Sequence, residues 1–212
     1  MSHDLRSPLT AILAAASGLG NPDVRLARAD RDELVETIRA EAERLNRIVG
    51  NLLDLSRLQS GAATSHQELW TADDLVSRAL AELGPRGERI VTELDENAPP
   101  VHTDAAQIER ALVNLLDNAL KFSASGVELR AVGSGAAVLL EVLDRGSGIG
   151  DLDPASLLGP FTRGRSGGAS GAGLGLAIAR GFAEVNGVQL ELEAREGGGA
   201  CARLTLVAEP VP

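Results

Sequence analysis

The chain has 212 residues, of which 30 are acidic and 20 basic, for a formal net charge of -10. This charge argues against a nucleic-acid binder or a binder of anionic membranes, since both need a positive surface. Aromatic residues make up only 2%, which disfavours stacking on nucleobases. The single cysteine, Cys201, excludes a disulfide framework and any multi-cysteine metal site. No apolar run reaches 18 residues, so we expect a cytoplasmic segment without membrane contact.

The first 63 residues differ from the rest in charge and pattern. They carry a net charge of -1, against -9 for residues 64–212. Apolar residues in 30–59 recur at steps of three and four, which predicts a long helix capped by Asp30. A shorter helix is predicted over about residues 5–19. Two antiparallel helices cannot enclose a core, so we expect residues 1–63 to dimerise into a four-helix bundle; the alternative is a hairpin packed against the rest of its own chain.

Residues 64–212 are predicted to form one mixed domain after a linker of small residues at 60–65. Thr71 and Asp104 are expected to cap helices over 72–83 and 104–122. The predicted strands cover 89–94, 101–103, 127–132, 136–143, 188–194 and 201–207, with a further helix over 174–185. The predicted fold class is therefore α+β, a helical hairpin followed by an α/β sandwich with helices over one sheet face.

Two glycine-rich segments stand out in this domain. Asp144-Arg145-Gly146-Ser147-Gly148-Ile149-Gly150 follows a buried strand, and Gly171-Ala172-Gly173-Leu174-Gly175-Leu176 opens a helix. Glycines let the backbone approach a ligand closely, and the N–H groups at a helix start attract phosphate. Each segment alone could be only a turn. A dinucleotide fold is disfavoured because Gly171 follows a loop instead of a strand.

The helix over 104–122 carries three residues suited to a nucleotide. Asn114 and Asn118 lie four apart and share one face. Asparagine is a poor interior helix former, whereas its side-chain oxygen suits Mg²⁺ held beside nucleotide phosphates. Lys121, the only lysine in the chain, follows by one turn. Its position favours phosphate contact over a solvated charge at a helix end.

His3 is the candidate nucleophile, because imidazole is nucleophilic and the adjacent Asp4 can take its proton. Alone, a histidine near a chain end is more often inert. His66 and His102 lack a comparable neighbour and are interpreted as structural or solvated.

Together these features resemble the motifs of sensor histidine kinases. Five of that family's motifs occur in family order: the H box at Ser2–Leu9, the N box at Asn114–Phe122, the first glycine box at Asp144–Gly150, the F box at Pro160–Gly164 and the second glycine box at Gly171–Leu176. The resemblance spans residues 2–176. One such box would be weak evidence, whereas five in order are specific.

The resemblance implies a Bergerat ATP-binding fold over 64–212, with ATP and Mg²⁺ as cofactors. By it, His3 is the phosphoacceptor and Asp4 its base, Asn118 coordinates Mg²⁺ beside Asn114, and Lys121 contacts the phosphates. The adenine amino group would be accepted by Asp144. The remaining implied roles are the pocket wall (Gly146, Gly148), the γ-phosphate contact (Arg163), the phosphate-holding helix start (Gly171, Gly173, Leu174, Gly175) and the ATP lid (residues 150–172).

The resemblance also implies a homodimer through residues 1–63 and a response regulator as the phosphotransfer partner. Within the family, the chain looks most like the potassium-responsive KdpD-type kinases. This subfamily resemblance rests on Ser-His-Asp-Leu-Arg, followed by Leu-Thr, and on the Gly-Gly-Ala-Cys near the end.

Two departures from the family pattern affect the H box. Ser7 stands where the family usually has Thr or Asn, the residue that positions water for dephosphorylating the regulator. A serine hydroxyl could still do this. The chain also begins two residues before His3, and since helix ends fray, we expect an excised core whose phosphoacceptor is poorly held.

Two other functions are weighed against a kinase. The hydrolysing ATPases of the gyrase, chaperone and mismatch-repair type share the ATP fold but place a glutamate four residues before the metal-binding asparagine. Here that residue is Asn114, an amide that cannot act as a base, and Asp117 is rotated away on the helix. The other alternative is a degenerate, non-catalytic ATP-binding scaffold.

Overall fold

The computed structural model describes residues 2–21, 26–123, 125–150, 153–160, 162 and 173–209, with side chains from residue 4 onward. The chain divides into two compact units, residues 1–54 and 55–212. Each unit is described separately below. Across the described ranges, no helix is both long and apolar enough to cross a membrane.

The first unit consists of two helices, α1 (Ser2–Gly20) and most of α2 (Arg28–Gln59). The two helices touch where Gly18 faces Leu34: a Cβ on the glycine would lie 3.3 Å from Leu34 Cδ1. The prediction that Asp30 caps α2 is wrong. The helix begins two residues earlier, and Asp30 lies in its first turn, where a carboxylate is stabilised by the helix dipole.

Large apolar side chains of the first unit remain exposed because two helices offer too few neighbours to cover them. Leu13 and Leu53 are 59% and 57% exposed, and Leu9, Val35 and Val49 are also exposed. Such surface on so small a unit is typical of an association face.

A Schellman motif ends α2. Gly61 adopts φ +67°, its N–H donates to Leu58 O (3.2 Å), and the Ala62 N–H donates to Arg57 O (3.0 Å). The helix cap therefore extends through Ala62, well into the stretch predicted as linker.

The second unit mixes helices and strands. Three of its helices have side-chain N-caps, from Thr71, Asp104 and Asp153. Its elements are β1 (Glu68–Trp70), α3 (Ala72–Leu83), a 3₁₀ helix (Gly84–Arg89), β2 (Ile90–Leu94), β3 (Val101–Thr103), α4 (Ala105–Phe122), β4 (Val127–Ser134), β5 (Ala137–Leu143), α5 (Pro154–Leu157), α6 (Gly175–Val185), β6 (Gln189–Ala194) and β7 (Ala200–Val207).

The main sheet has five strands in the order β2-β4-β5-β7-β6. β2 runs parallel to β4, and the other neighbouring pairs are antiparallel. β1 and β3 form a separate antiparallel pair. Because the sheet is mixed and the helices are not strict crossovers between parallel strands, the domain is an α/β sandwich and not a doubly wound fold.

The two faces of the main sheet differ in polarity. Leu129, Leu140 and Leu204 are fully buried on the helix side, and each buried leucine contributes about 1.5–3 kcal/mol. The other face carries charged pairs. Arg203 pairs with Glu141 (2.7 Å) and Glu193 (3.3 Å) on the two neighbouring strands, and Arg195, directly after β6, pairs with Glu128 of β4 (2.8 Å).

The predicted fold class is confirmed, with a helical region followed by a mixed sheet covered by helices. The caps by Thr71 and Asp104 are also confirmed. Three elements were not predicted: β1, the 3₁₀ helix and α5. They are short, and segments of three to six residues carry too little periodicity to be detected.

Candidate functional site

The predicted nucleotide residues on α4 lie in the second half of the helix. Asn114 is buried, Asn118 is half-buried and Lys121 is exposed. The Asn114 amide donates to Arg110 O (2.8 Å), one helical turn back. The Lys121 ammonium lies 4.9 Å from the centre of the Phe122 ring. Exposure thus increases along this face from Asn114 toward the end of the helix.

The start of α6 lies directly against this face of α4. A Cβ on Gly175 would be 3.2 Å from Asn114 Oδ1. A side chain at residue 175 would therefore be in tight contact with the amide, which would have to move by a few tenths of an ångström. The second glycine segment and the paired asparagines, far apart in sequence, are therefore brought together.

The start of α6 differs from the starts of the other described α-helices of this unit. Thr71, Asp104 and Asp153 accept backbone N–H groups at the starts of α3, α4 and α5. The N-cap residue of α6 is Leu174, buried and without a capping side-chain hydrogen bond, and Gly173 before it has φ +66°. The first N–H groups of a helix have no intrahelical partner, so this end is suited to phosphate oxygens.

The first glycine segment is a tight turn at the end of β5. Asp144 is buried, and its Oδ1 accepts the Gly146 N–H at 2.7 Å. The buried hydroxyl of Ser123 accepts the Arg145 N–H at 3.3 Å. This second bond joins the turn to the end of α4, so Asp144 is held beside the helix that carries Asn118 and Lys121.

Two glycines of this turn are required by close backbone packing. A Cβ on Gly146 would overlap the carbonyl of Phe122, and a Cβ on Gly148 would lie 2.9 Å from Gly199 O. Gly148 also has φ +67°. Gly199, in the turn between β6 and β7, packs against the Asp144 carbonyl in the same way. The turn is thus enclosed between α4 and the β6–β7 hairpin.

The remaining predicted residues lie elsewhere or are not described. His3 lies in the first turn of α1, its side chain outside the described part, with Asp4 half-buried and Ser7 exposed on the same helix. Arg163 and Gly171 lie outside the described residues, as does most of the predicted lid.

Sequence reasoning missed two residues of the candidate site. Ser123 gave no signal because a serine after a helix is ordinary. Gly199 lies between the strands predicted over 188–194 and 201–207, where a run of three consecutive glycines, all at positive φ in the structure, is the signal that could have suggested close packing. His102 is exposed, with Nε2 3.0 Å from Glu209 Oε2, as expected for a solvated side chain.

The chain belongs to the histidine kinases: residues 1–61 match the "His Kinase A (phospho-acceptor) domain", and residues 103–210 match "Histidine kinase-, DNA gyrase B-, and HSP90-like ATPase". This confirms the sensor histidine kinase resemblance drawn from the five sequence motifs. The second description covers the asparagine pair, the Asp144 turn and the start of α6.

Known proteins are similar over the whole chain. The sensor protein KdpD of Escherichia coli (strain K12) is 35% identical over 223 residues, covering 100% of this chain and 24% of that protein. The chain thus spans about a quarter of that relative. The histidine kinase AdeS of Acinetobacter baumannii has the same fold, with a TM-score of 0.74, 23% identity and 98% coverage of both chains. The full-length kinase ShkA in complex with AMPPNP gives a TM-score of 0.70 at 25% identity, covering 100% of this chain and 46% of that one.

ATP and Mg²⁺, the cofactors of this family, fit the residues present. The uncapped start of α6 offers backbone N–H groups for phosphate oxygens. Beside it, Asn114 and Asn118 supply amide oxygens, the neutral hard donors that Mg²⁺ takes alongside nucleotide phosphates. The described residues hold no cluster of His, Cys, Asp and Glu that could bind a metal without a nucleotide.

Proposed function

We propose that this chain is a two-component kinase core in which residues 64–212 bind ATP and residues 1–63 dimerise and carry the phosphoacceptor His3. The observation that carries the proposal is the uncapped start of α6 beside Asn114. It supplies a phosphate-binding end inside a domain of the ATPase family.

The nucleotide would lie along α4, between Asp144 and the start of α6. Asp144 would accept the adenine amino group, and the turn glycines Gly146 and Gly148 would form the wall against which the base lies. Gly171, Gly173, Leu174 and Gly175 would hold the phosphates, with Lys121 contributing positive charge. When bound at Asn118, Mg²⁺ would neutralise charge on the phosphates.

In the phosphoryl transfer, an imidazole nitrogen of His3 would attack the γ-phosphorus while the bond to the β–γ bridging oxygen breaks and ADP leaves. Asp4 would take the imidazole proton, and Arg163 would stabilise charge on the transferred group. Enzymes catalyse such transfers mainly by positioning and charge stabilisation. The phosphohistidine would then donate its phosphoryl group to an aspartate of a response regulator.

Ser7 lies four residues after His3 on α1 and is exposed, so the two residues share a helix face. This placement supports a role for its hydroxyl in orienting water during dephosphorylation of the regulator. The apolar exposure of Leu13 and Leu53 supports a homodimer through residues 1–63. The similarity to KdpD proteins supports signalling of the potassium-responsive type.

ATP hydrolysis as the main reaction is not supported by the contacts on α4. Asn114 is an amide whose NH₂ donates to Arg110 O (2.8 Å). The carboxylate of Asp117 pairs with Arg86. Neither residue is therefore available as a base for water.

The test is incubation with γ-labelled ATP and Mg²⁺, comparing the unaltered chain, His3→Gln and the control His102→Gln. We expect acid-labile protein-bound label in the unaltered chain and the control, and none in His3→Gln. If the unaltered chain binds nucleotide but takes up no label, the kinase proposal fails and a scaffold is favoured. Equal labelling of His3→Gln would show that another residue is the acceptor.

A further inference from the structure

Asn186, directly after α6, is the centre of a buried hydrogen-bond cluster. Its Oδ1 accepts three donors: the hydroxyls of Ser65 (2.8 Å) and Thr103 (3.2 Å) and the Asp104 N–H (2.9 Å). Its Nδ2 donates to Gln107 Oε1 and Phe182 O, both at 2.9 Å. The residue is only 6% exposed, and both protons of its amide are used.

This cluster holds residues 64–67, which connect the cap of α2 to β1. Thr64 O accepts from Gln107 Nε2 (2.7 Å), and the His66 N–H donates to Asp104 Oδ2 (3.1 Å). Gln67 Nε2 donates to Asn186 O (3.4 Å). With the Ser65 bond, each of the four residues 64–67 is attached to Asn186 or to one of its direct partners.

We propose that Asn186 is a positioning residue that fastens residues 64–67 to the ATP-binding domain and so limits how far bound ATP can range from the phosphoacceptor. This inference rests on the proposed function. The helix cap of α2 already extends through Ala62, so with the fastening in place Ala63 alone is left outside both the cap and the cluster.

The location of Asn186 connects this fastening to the nucleotide site. α6 runs 11 residues from Gly175, beside Asn114, to Val185, directly before Asn186. A helix of that length spans about 16 Å. The same helix therefore offers the candidate phosphate site at one end and the fastening at the other.

The expected size of the effect follows from the length of the tether. Without the cluster, the stretch held by neither the α2 cap nor the cluster grows from Ala63 to residues 63–67, while the contact of Leu58 with Gly181 of α6 remains. Effective concentration falls as a tether lengthens, and because the Leu58 contact still restrains the end of α2, kcat for autophosphorylation should fall by up to about tenfold in Asn186→Leu. The KM for ATP should stay within about twofold, because Asn186 does not line the nucleotide site.

The structure offers a matched pair of variants. Ser65→Ala and Thr103→Val each remove one hydroxyl that donates to the same Oδ1, but only Ser65 is in the connection. We expect Ser65→Ala to lower kcat about threefold, as a partial loss of the same effective concentration, and Thr103→Val to leave it within error. Asn186→Asp, which keeps the acceptor oxygen and loses the donors, should lie between Asn186→Leu and the unaltered chain.

Two measurements on the full chain test the proposal. Hydrogen exchange without nucleotide should show faster exchange at residues 64–67 in Asn186→Leu and Ser65→Ala, and autophosphorylation should show the fall in kcat at constant KM. Unchanged exchange, faster exchange with unchanged kcat, or equal effects of the two hydroxyl variants would each overturn it. Absence of acid-labile label in the unaltered chain would instead refute the proposed function itself, and the positioning role with it.

Discussion

The α-carbon of Gly199 packs against the carbonyl oxygen of Asp144, so close that a Cβ on the glycine would overlap that oxygen. The β6–β7 turn is thereby held to the backbone of the residue proposed to recognise adenine. Gly198, its neighbour, has the same φ of +99° but meets no atom within 4 Å. The two glycines therefore differ in packing and not in φ.

This difference gives the first prediction. Gly198→Ala and Gly199→Ala both carry the strain of positive φ, about 1–3 kcal/mol, but Gly199→Ala also forces the Asp144 turn away. We expect Gly199→Ala to be less stable than Gly198→Ala by about 1–3 kcal/mol and to bind ATP more weakly. Denaturant unfolding and nucleotide titration measure both effects. Equal behaviour of the two variants would show that the close packing does not position Asp144.

Asp144 itself has two separable roles. Its Oδ1 accepts the Gly146 N–H (2.7 Å), and the side-chain oxygen of an asparagine can accept the same bond. The asparagine NH₂ would then oppose the adenine amino group, two donors that cannot pair, whereas the second carboxylate oxygen of Asp144 is an acceptor. Asp144→Asn should therefore keep the unfolding midpoint and lose nucleotide affinity, about tenfold for one charged hydrogen bond. Asp144→Ala should lose both. If Asp144→Asn binds ATP as tightly as the unaltered chain, the adenine contact is refuted.

The end of α2 packs against α6 through Leu58 and Gly181. A Cβ on Gly181 would lie 2.6 Å from Leu58 Cδ1, so Gly181→Ala should displace the leucine. We expect the free energies of unfolding of Gly181→Ala, Leu58→Ala and the double variant to be non-additive, with a coupling of about 0.5–3 kcal/mol. Gly20→Ala is the control, because its Cβ would meet nothing within 4 Å. Additive effects would show that this contact contributes nothing.

Cys201 should report unfolding. The residue is buried, and burial, reinforced by the charge of Glu141, raises the pKa of its thiol from 9.0 to about 11. At pH 8 the thiolate is then roughly a hundredfold scarcer than for a free cysteine, so a disulfide reagent should react with the folded chain far more slowly than with the unfolded one. Rapid reaction under native conditions would contradict the buried position.

The raised pKa of the Cys201 thiol also makes the free energy of unfolding depend on pH. The neutral thiol is favoured in the fold, so its contribution is fully present below pH 9 and is lost as the pH rises toward 11. Cys201→Ala should therefore lose less stability than the unaltered chain between pH 9 and 11. If the free energies of unfolding of Cys201→Ala and of the unaltered chain change in parallel between pH 9 and 11, the raised pKa of Cys201 is refuted.

For Glu128 we predict the opposite dependence, a free energy of unfolding that decreases as the pH falls. Its hydrogen bond to the Arg195 guanidinium (2.8 Å) lowers the pKa of the Glu128 carboxyl below its ordinary 4.5. The stabilisation is present above about pH 4.5 and is lost as the pH falls through the lowered value. We expect Glu128→Gln to be less stable by about 1 kcal/mol at pH 7, and the difference to vanish in acid.

Glu36 is the matched control for that prediction. Its pKa is also lowered, by the hydrogen bond from Arg39, but the pair is exposed on α2, and exposed ion pairs contribute little. Glu36→Gln should leave the free energy of unfolding unchanged both at pH 7 and in acid. If the effect of Glu36→Gln on stability changes between pH 7 and acid as much as that of Glu128→Gln, the acid dependence comes from general charge effects and not from the bond between Glu128 and Arg195.

The sequence predicted the elements whose patterns are long or whose caps are polar. Thr71 and Asp104 located two helix starts, and each of the five strands that form the main sheet was predicted as a strand. Of the short pair β1–β3, only β3 was predicted; β1 was not, because Glu68–Trp70 is largely exposed. Asp30 was misplaced as a cap because an acidic residue is as favourable in the first turn of a helix as before it.

The candidate site was predictable in its residue types but not in its internal contacts. Motif order indicated Asn114 and the glycine segments. The packing of Gly199 on Asp144 and the cluster at Asn186 join residues distant in sequence, up to 121 positions apart for Ser65 and Asn186. Such pairings depend on how the sheet and helices come together, which local pattern does not encode.

The charged pairs on the sheet face opposite the helices also select how the strands align during folding. A shift of β5 against β7 by one residue would turn buried side chains to the solvent, and is excluded for that reason. A shift by two residues keeps the same faces, but it would separate Glu141 from Arg203 and place Thr205 or Cys201 opposite the glutamate instead. Side-chain alternation thus rejects odd misalignments, and the charge pairing between neighbouring strands rejects the even ones.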